Sequence, residues 1–213
     1  AVFFACARLG AITIAVNTRF RATELADIFE RARPKAIFYR PHFRAIDFSV
    51  LIDRAGEIAG ARPRLEVTLG EGVPDRTTSL AEIMSGTGSV LPGNIDADTG
   101  AIMFTTSGTT SAPKFVLHPH RSIVNHAADV AAGFAMSDAS ATMLQALPYC
   151  GVFGFCQAMA ALAAGRPSIV MEAFDPAIAA GMIADCGVTH FNATDEMLTA
   201  LVGAAAPRAL STL

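Results

Sequence analysis

Short apolar runs alternate along this chain with stretches of helical period. Ile12 to Val16 predicts a strand, Ala22 to Arg33 an amphipathic helix with Leu25, Ile28 and Phe29 on one face, and Ala36 to Tyr39 a second strand. Ile46 to Ala59 predicts a further helix and Leu65 to Leu69 a further strand. A polar Gly/Pro/Thr-rich connection then runs from Gly70 to Gly100, broken by a short helix near Leu80 to Met84. Beyond it, Ala101 to Thr105 reads as a buried strand and Val116 to Leu117 as the start of another. Helices follow over His120 to Phe134, Phe153 to Ala164 and Pro176 to Asp185, with strands near Ser168 to Met171 and Thr189 to Phe191. The acidic pair Asp195-Glu196 predicts one more helix start, where negative charge suits the dipole. Strands alternating with helices imply an α/β fold of mostly parallel sheet layers flanked by helices. The sequence shows no internal repeat and no low-complexity tail.

Ala139 to Gly165 carries no charge and is long enough to raise the question of a membrane span. Pro148, Gly151 and Gly154 interrupt it, and Gln145 and Gln157 are polar, so it divides into a strand near Thr142 to Ala146, a loop and a helix. The opening AVFFACARLG has no charged leader and reads as cut from mid-helix. A net charge of −3 with 16% charged residues leaves no basic footprint for nucleic acid. The modest excess of Lys and Arg between Arg31 and Arg44 fits a solvated helix face.

The cysteines, Cys6, Cys150, Cys156 and Cys186, lack C-x-x-C spacing and a paired histidine, so they read as buried, reduced thiols of a cytoplasmic protein. His118 and His120 flank Pro119, His126 lies on the following helix and His190 ends a strand. Nothing nearby supplies a third metal ligand, and a structural or capping role is the expectation.

The candidate chemistry lies between Ala101 and His120. Residues 105–114 form a hydroxyl- and glycine-rich loop between apolar runs, with Thr106, Ser107, Gly108, Thr109, Thr110 and Ser111 followed by Pro113 and Lys114. Gly108 permits a tight turn and close backbone approach to a ligand. The hydroxyls and N–H groups can donate to anionic oxygens, and Lys114 adds a mobile charge, so the expected ligand is a nucleotide's phosphate chain. A Walker P-loop is excluded, because Pro113 stands where it needs glycine and Phe115 where it needs the magnesium-binding hydroxyl.

T-S-G-T-T-x-x-P-K resembles the phosphate-binding signature of the adenylate-forming (AMP-binding) superfamily, whose members include acyl-CoA synthetases, luciferases and peptide-synthetase adenylation domains. Ala5 to Phe20 with Glu24-Leu25 and Ala32 to Phe38 is similar to the segment preceding that loop in acyl-CoA synthetases. Leu147 to Gly154, LPYCGVFG, sits at the place of a Pro-aromatic-x-His-x-x-Gly motif, and Gly187 to Met197, GVTHFNATDEM, resembles the strand and turn that begin the acyl pocket. The resemblance covers nearly the whole chain and implies that residues 1–213 are an incomplete N-terminal AMP-binding domain. It implies a two-step activation of a carboxylic acid with ATP, Mg²⁺ and CoA: an acyl-adenylate forms, then a thioester.

The same resemblance assigns Thr106, Ser107, Gly108, Thr109, Thr110, Ser111 and Lys114 to the ATP phosphates. It places Tyr149, Gly151, Phe153 and Asn192 at the acyl and CoA pocket, and gives His120 a supporting role. The catalytic residues, an aromatic-Gly-x-[ST]-Glu motif, a ribose-binding Asp and a late Lys, are expected beyond Leu213, so the chain alone is expected to be inactive. Ser111 and Phe115 replace glycines of the pattern, and Gly151 replaces a His or aromatic gate, leaving space for a bulkier acyl group. Phe153, Phe155 and Met159 favour a fatty or aromatic acid as substrate. Two other readings stay open: a peptide-synthetase adenylation domain that loads a carrier protein, and a non-catalytic nucleotide-binding protein. No transmembrane segment is expected, and a homodimer is compatible with the sequence.

Overall fold

The computed structural model describes residues 1–70, 74–88, 95–106, 114–205 and 210–213. In chain order the elements are α1 (Val2–Leu9), β1 (Thr13–Ala15), α2 (Ala22–Ala32), β2 (Ala36–Tyr39), β3 (His42–Phe43), β4 (Ile46–Asp47), α3 (Phe48–Ala59), β5 (Leu65–Thr68), β6 (Thr78–Ser79) and α4 (Leu80–Ser85). They continue with β7 (Gly100–Thr106), β8 (Lys114–Pro119), α5 (His120–Gly133), β9 (Met143–Gln145), α6 (Val152–Ala163), β10 (Ser168–Val170), α7 (Pro176–Cys186), β11 (His190–Phe191) and α8 (Asp195–Ala204). The chain divides into two compact units, Thr18–Leu91 and Ala1–Asn17 with Pro92–Leu213.

In the unit Thr18–Leu91, β2, β5 and β6 form a parallel sheet with β5 central, Ala36 to Tyr39 aligned with Leu65 to Thr68. Helix α2 buries Leu25, Ile28 and Phe29, the face expected from its period, and the Glu24 carboxylate accepts the Arg21 backbone N–H at 2.9 Å to close its first turn. Helix α3 begins at Phe48 rather than Ile46. Asp47 caps it by accepting the Val50 N–H at 3.0 Å, and Ile46–Asp47 pairs antiparallel with His42–Phe43 instead. A part-exposed ionic network centres on the buried Glu66 of β5. The Glu66 side chain, 6% exposed, accepts from Arg62 at 2.5 Å and from the Tyr39 hydroxyl at 3.2 Å, with Arg76 at 3.4 Å. Asp53 joins both arginines, at 3.0 Å to Arg62 and 2.6 Å to Arg76.

The other unit holds two three-stranded sheets. In one, β7 is central, parallel to β1 and antiparallel to β8; in the other, β9 is central and parallel to both β10 and β11. The antiparallel β7–β8 pair follows from its short connection, since a parallel return needs a crossover of a dozen or more residues. Helix α7 carries Pro176 at its start and the Asp175 carboxylate accepts the Ala177 and Ile178 N–H groups at 3.0 Å; Gly187, at φ 60°, ends it in a left-handed turn. Helix α8 starts at Asp195 as the acidic pair predicts, with Thr194 accepting the Met197 N–H. Leu144, Ala179, Ile183, Val188 and Leu201 make one core cluster, and Met136, Met143, Ala160 and Ala161 a second. A third, Ile102, Phe104 and Phe155, sits under the β7–β8 hairpin.

Candidate functional site

The loop over 105–114 connects β7 to β8. Thr106 and Lys114 are cross-strand partners, both exposed, and Thr105 pairs with Phe115. Ser107, Gly108, Thr109, Thr110 and Ser111 lie outside the described residues. Because β1 runs parallel to β7, the loop departs from the carboxyl ends of these strands, where open α/β sheets bind ligands. The base of the hairpin is fixed by a turn at Asp96, whose carboxylate accepts the Asp98 and Thr99 N–H groups at 2.9 Å. Those bonds, that from Asp98 first, favour the charged carboxylate and hold its pKa below the ordinary value. Arg121 bonds Asp98 at 2.8 Å, and the His120 N–H donates to the Thr99 carbonyl at 3.0 Å, tying α5 to the same turn.

Alternation along the hairpin sets its faces. The pairs Thr106/Lys114, Phe104/Val116 and Ile102/His118 follow one another on one face, from tip to base. That face looks onto α5 and α6 and, with them, encloses a cavity of about 360 Å³. Phe104 and His118 supply the hairpin wall; Ser122, Ile123, His126 and Ala127 supply the α5 wall; Val152, Phe155, Cys156 and Met159 supply the α6 wall. Phe104 meets the His118 and Phe155 rings edge to face, at centroid distances of 5.6 and 5.3 Å. Burial pushes the Cys156 thiol above its usual range. The volume and the apolar lining suit a small organic ligand.

The sequence names Phe155 and Met159 as acyl-lining, and both line this cavity, whereas Phe153 is half exposed and is not among its walls. Tyr149, Gly151 and Asn192 lie together in another sense: they follow the carboxyl ends of β9 and β11 in the second sheet. Tyr149 is partly covered, and burial raises its phenol above the ordinary value. Gly151 is the N-cap of α6; an added Cβ would meet only the Pro148 carbonyl oxygen, at 3.7 Å, so a side chain would fit. Gly154 differs sharply, since a Cβ there would overlap the Pro148 carbonyl and come to 2.8 Å from that of Leu147. The Asn192 amide nitrogen and His120 Nε2 are buried with no hydrogen-bond partner among the described residues.

One expectation about single residues changes, and one is met. Cys186 is exposed at the end of α7 rather than buried, because the helix turns it outward where Gly187 ends the element. His190 is structural: its Nε2 lies 2.6 Å from the Phe134 carbonyl and its Nδ1 2.7 Å from the Thr189 hydroxyl. Sequence reasoning missed His118, Ser122, His126 and Cys156 as cavity residues. The available signal was the spacing of 122, 123, 126 and 127 on one helix and of 152, 155, 156 and 159 on the next, each set lying on one face.

The AMP-binding enzyme family model matches residues 1–213. The fatty acid–[acyl-carrier-protein] ligase ScoC of Streptomyces coeruleorubidus is 26% identical over 92% of the chain, and the 4-chlorobenzoate–CoA ligase of an Arthrobacter species 28% identical over 94%. In each case the chain spans 36% of the relative's length. The fold is shared with the ATP-bound MatB of Rhodopseudomonas palustris, at 22% identity and a TM-score of 0.76, covering 99% of this chain and 40% of that one.

Proposed function

Because the chain belongs to the AMP-binding enzyme family, we propose that the protein carrying these residues is an acid–thiol ligase that activates a fatty or aromatic carboxylic acid with ATP. The observation that carries this reading is the hairpin. It holds Thr106 opposite Lys114 at the tip, and on the same face, toward the base, it walls an apolar cavity through Phe104 and His118. A phosphate end and an acyl end then lie along one surface.

In the first half-reaction a carboxylate oxygen attacks the α-phosphorus of ATP, forming the acyl-adenylate and releasing pyrophosphate. Such transfers need positioning and charge neutralisation more than covalent help. Thr106 and Lys114, with Ser107, Gly108, Thr109, Thr110 and Ser111, hold the β- and γ-phosphates. Mg²⁺, if bound with the nucleotide, would supply further charge neutralisation. In the second half-reaction a thiolate attacks the activated carbonyl and AMP leaves. Tyr149, Gly151 and Asn192, beyond the strand ends of the second sheet, border the acyl group and the thiol's approach. CoA is the acceptor; a carrier-protein thiol is the second reading, favoured by the relative that is an acyl-carrier-protein ligase. The adenine, ribose and late-lysine motifs implied by the family pattern are not among these 213 residues, so the segment alone completes neither step.

The test is acid-dependent ATP–pyrophosphate exchange by the full-length gene product over a panel of fatty and aromatic acids. Exchange lost on combined Thr109→Ala and Thr110→Ala substitution supports the loop assignment. Nucleotide binding without exchange for any acid overturns the ligase reading in favour of a non-catalytic nucleotide-binding protein.

A further inference from the structure

We infer that the cavity under the β7–β8 hairpin selects a compact aromatic acid over an alkyl acid of the same carbon number, and that Phe155 and Met159 make the distinction. The inference rests on the ligase reading above and names the substrate class of that site.

Exposure sorts the lining. Phe104 and Phe155 are buried, at 3% and 7% exposed, and form the floor, whereas Val152, Ser122 and His126 are exposed and form the mouth. The floor is aromatic. Phe155 stands edge to face with Phe104 at 5.3 Å and with Phe3 at 5.2 Å, and Phe104 does the same with the His118 ring at 5.6 Å. Rings so arranged favour a further ring, because the positive edge of one meets the negative face of another. That directional gain comes on top of apolar area, and a methylene chain lacks it. Met159 packs against the same cluster and lines the cavity, and its polarisable thioether also favours an aromatic neighbour.

Size points the same way. The cavity, of about 360 Å³, is a little over twice the roughly 150 Å³ that encloses one benzene ring in an engineered apolar cavity. It takes a substituted ring or a fused pair. Along α6 its wall runs from Val152 to Met159, seven steps of about 1.5 Å or roughly 10 Å in all, and a long alkyl acid outruns it toward the solvated mouth. A ring also enters with few rotatable bonds to order, whereas an alkyl chain gives up its rotamer freedom. Thr106 and Lys114 share the face of the hairpin that carries Phe104, so an acid whose carboxylate lies toward the tip sets its ring on the aromatic floor.

The experiment is ATP–pyrophosphate exchange by the full-length enzyme with aryl and alkyl acids matched in carbon number, together with a long-chain fatty acid. The expected result is a kcat/KM at least about fivefold higher for the aryl member of each pair, the scale of one aromatic pair. Phe155→Leu, which keeps an apolar side chain and removes the ring, and Met159→Leu, a near-isosteric change that removes the sulfur, should each shrink that ratio. The ratio is taken within each variant, so a loss of folded protein leaves it unaltered. Equal or better use of the alkyl or long-chain acids by the unaltered enzyme overturns the inference while leaving the ligase reading standing, and this needs no variant to fold. An aryl preference that both variants leave whole overturns it too. Absence of exchange with every acid removes the ligase reading and this inference together.

Discussion

The ionic network of the unit Thr18–Leu91 and the cavity beneath the β7–β8 hairpin both set polar groups among apolar ones, and they are built in opposite ways. Glu66 is enclosed and matched by Arg62, Arg76 and Tyr39, with Asp53 balancing the arginines. At the cavity, His118 is part-exposed and His126 exposed, so their ring nitrogens meet solvent rather than a fixed partner. A closed network holds a structure in one arrangement, since breaking it strands a charge. Solvated groups at the border of an apolar pocket impose no such single arrangement.

Breaking the closed side should have the largest effect. Glu66→Ala removes the one enclosed carboxylate and its bonds to Arg62 and Tyr39 while Asp53 still bridges the part-exposed arginines, and should cost about 2–3 kcal/mol, the scale of lost hydrogen bonds to a charged group. Denaturant unfolding measures it, and a loss no larger than for an ordinary surface substitution would show the network to be incidental. Gly154→Ala attacks the scaffold of the open side by forcing a Cβ into the Leu147 and Pro148 carbonyls at the start of α6. About 2 kcal/mol of destabilisation is expected, as for overpacking elsewhere. Gly151→Ala, with room for its Cβ, is the control that should show little change.

Lys114→Ala should leave stability nearly unaltered, because Lys114 is exposed at the strand end. In the full-length enzyme it should raise KM for ATP by about tenfold, the scale of one lost charge-assisted contact; an unchanged KM would remove Lys114 from the nucleotide site. The smallest effect concerns the two tyrosines. Burial, first, and then the charge of Glu66 raise Tyr39 above its ordinary 10.0, and burial raises Tyr149. The neutral phenols are thus favoured in the folded state. Their stabilisation is present below about pH 10 and is lost as pH rises through the folded values. Ultraviolet titration of phenolate should show both midpoints above that of the unfolded chain, and a midpoint at or below it would contradict the burial.

Much of the fold was legible because periodicity reports burial. Helix α2 shows its buried face through Leu25, Ile28 and Phe29, and β2 was readable to its exact ends. The start of α3 was not, since Asp47 acts as a cap only once Ile46 pairs with Phe43 across a hairpin that local preference does not announce. For the site, the hydroxyl-rich loop stands out in composition. The cavity does not, because its walls come from three elements whose residues are individually ordinary: a strand histidine, a helix serine, a core phenylalanine. Phe153 and Phe155 look equivalent in sequence, yet α6 points only the second into the cavity.

The amino-acid sequence by itself determined the α/β class, the strand and helix order and the family, through periods of two and 3.6 and through the T-S-G-T-T-x-x-P-K string. Only the tertiary structure decided that Thr106 faces Lys114, that Glu66 is enclosed by partners, and that His118 and His126 border one space. These are relations between residues distant along the chain, and local patterning carries no term for them until packing brings the elements together.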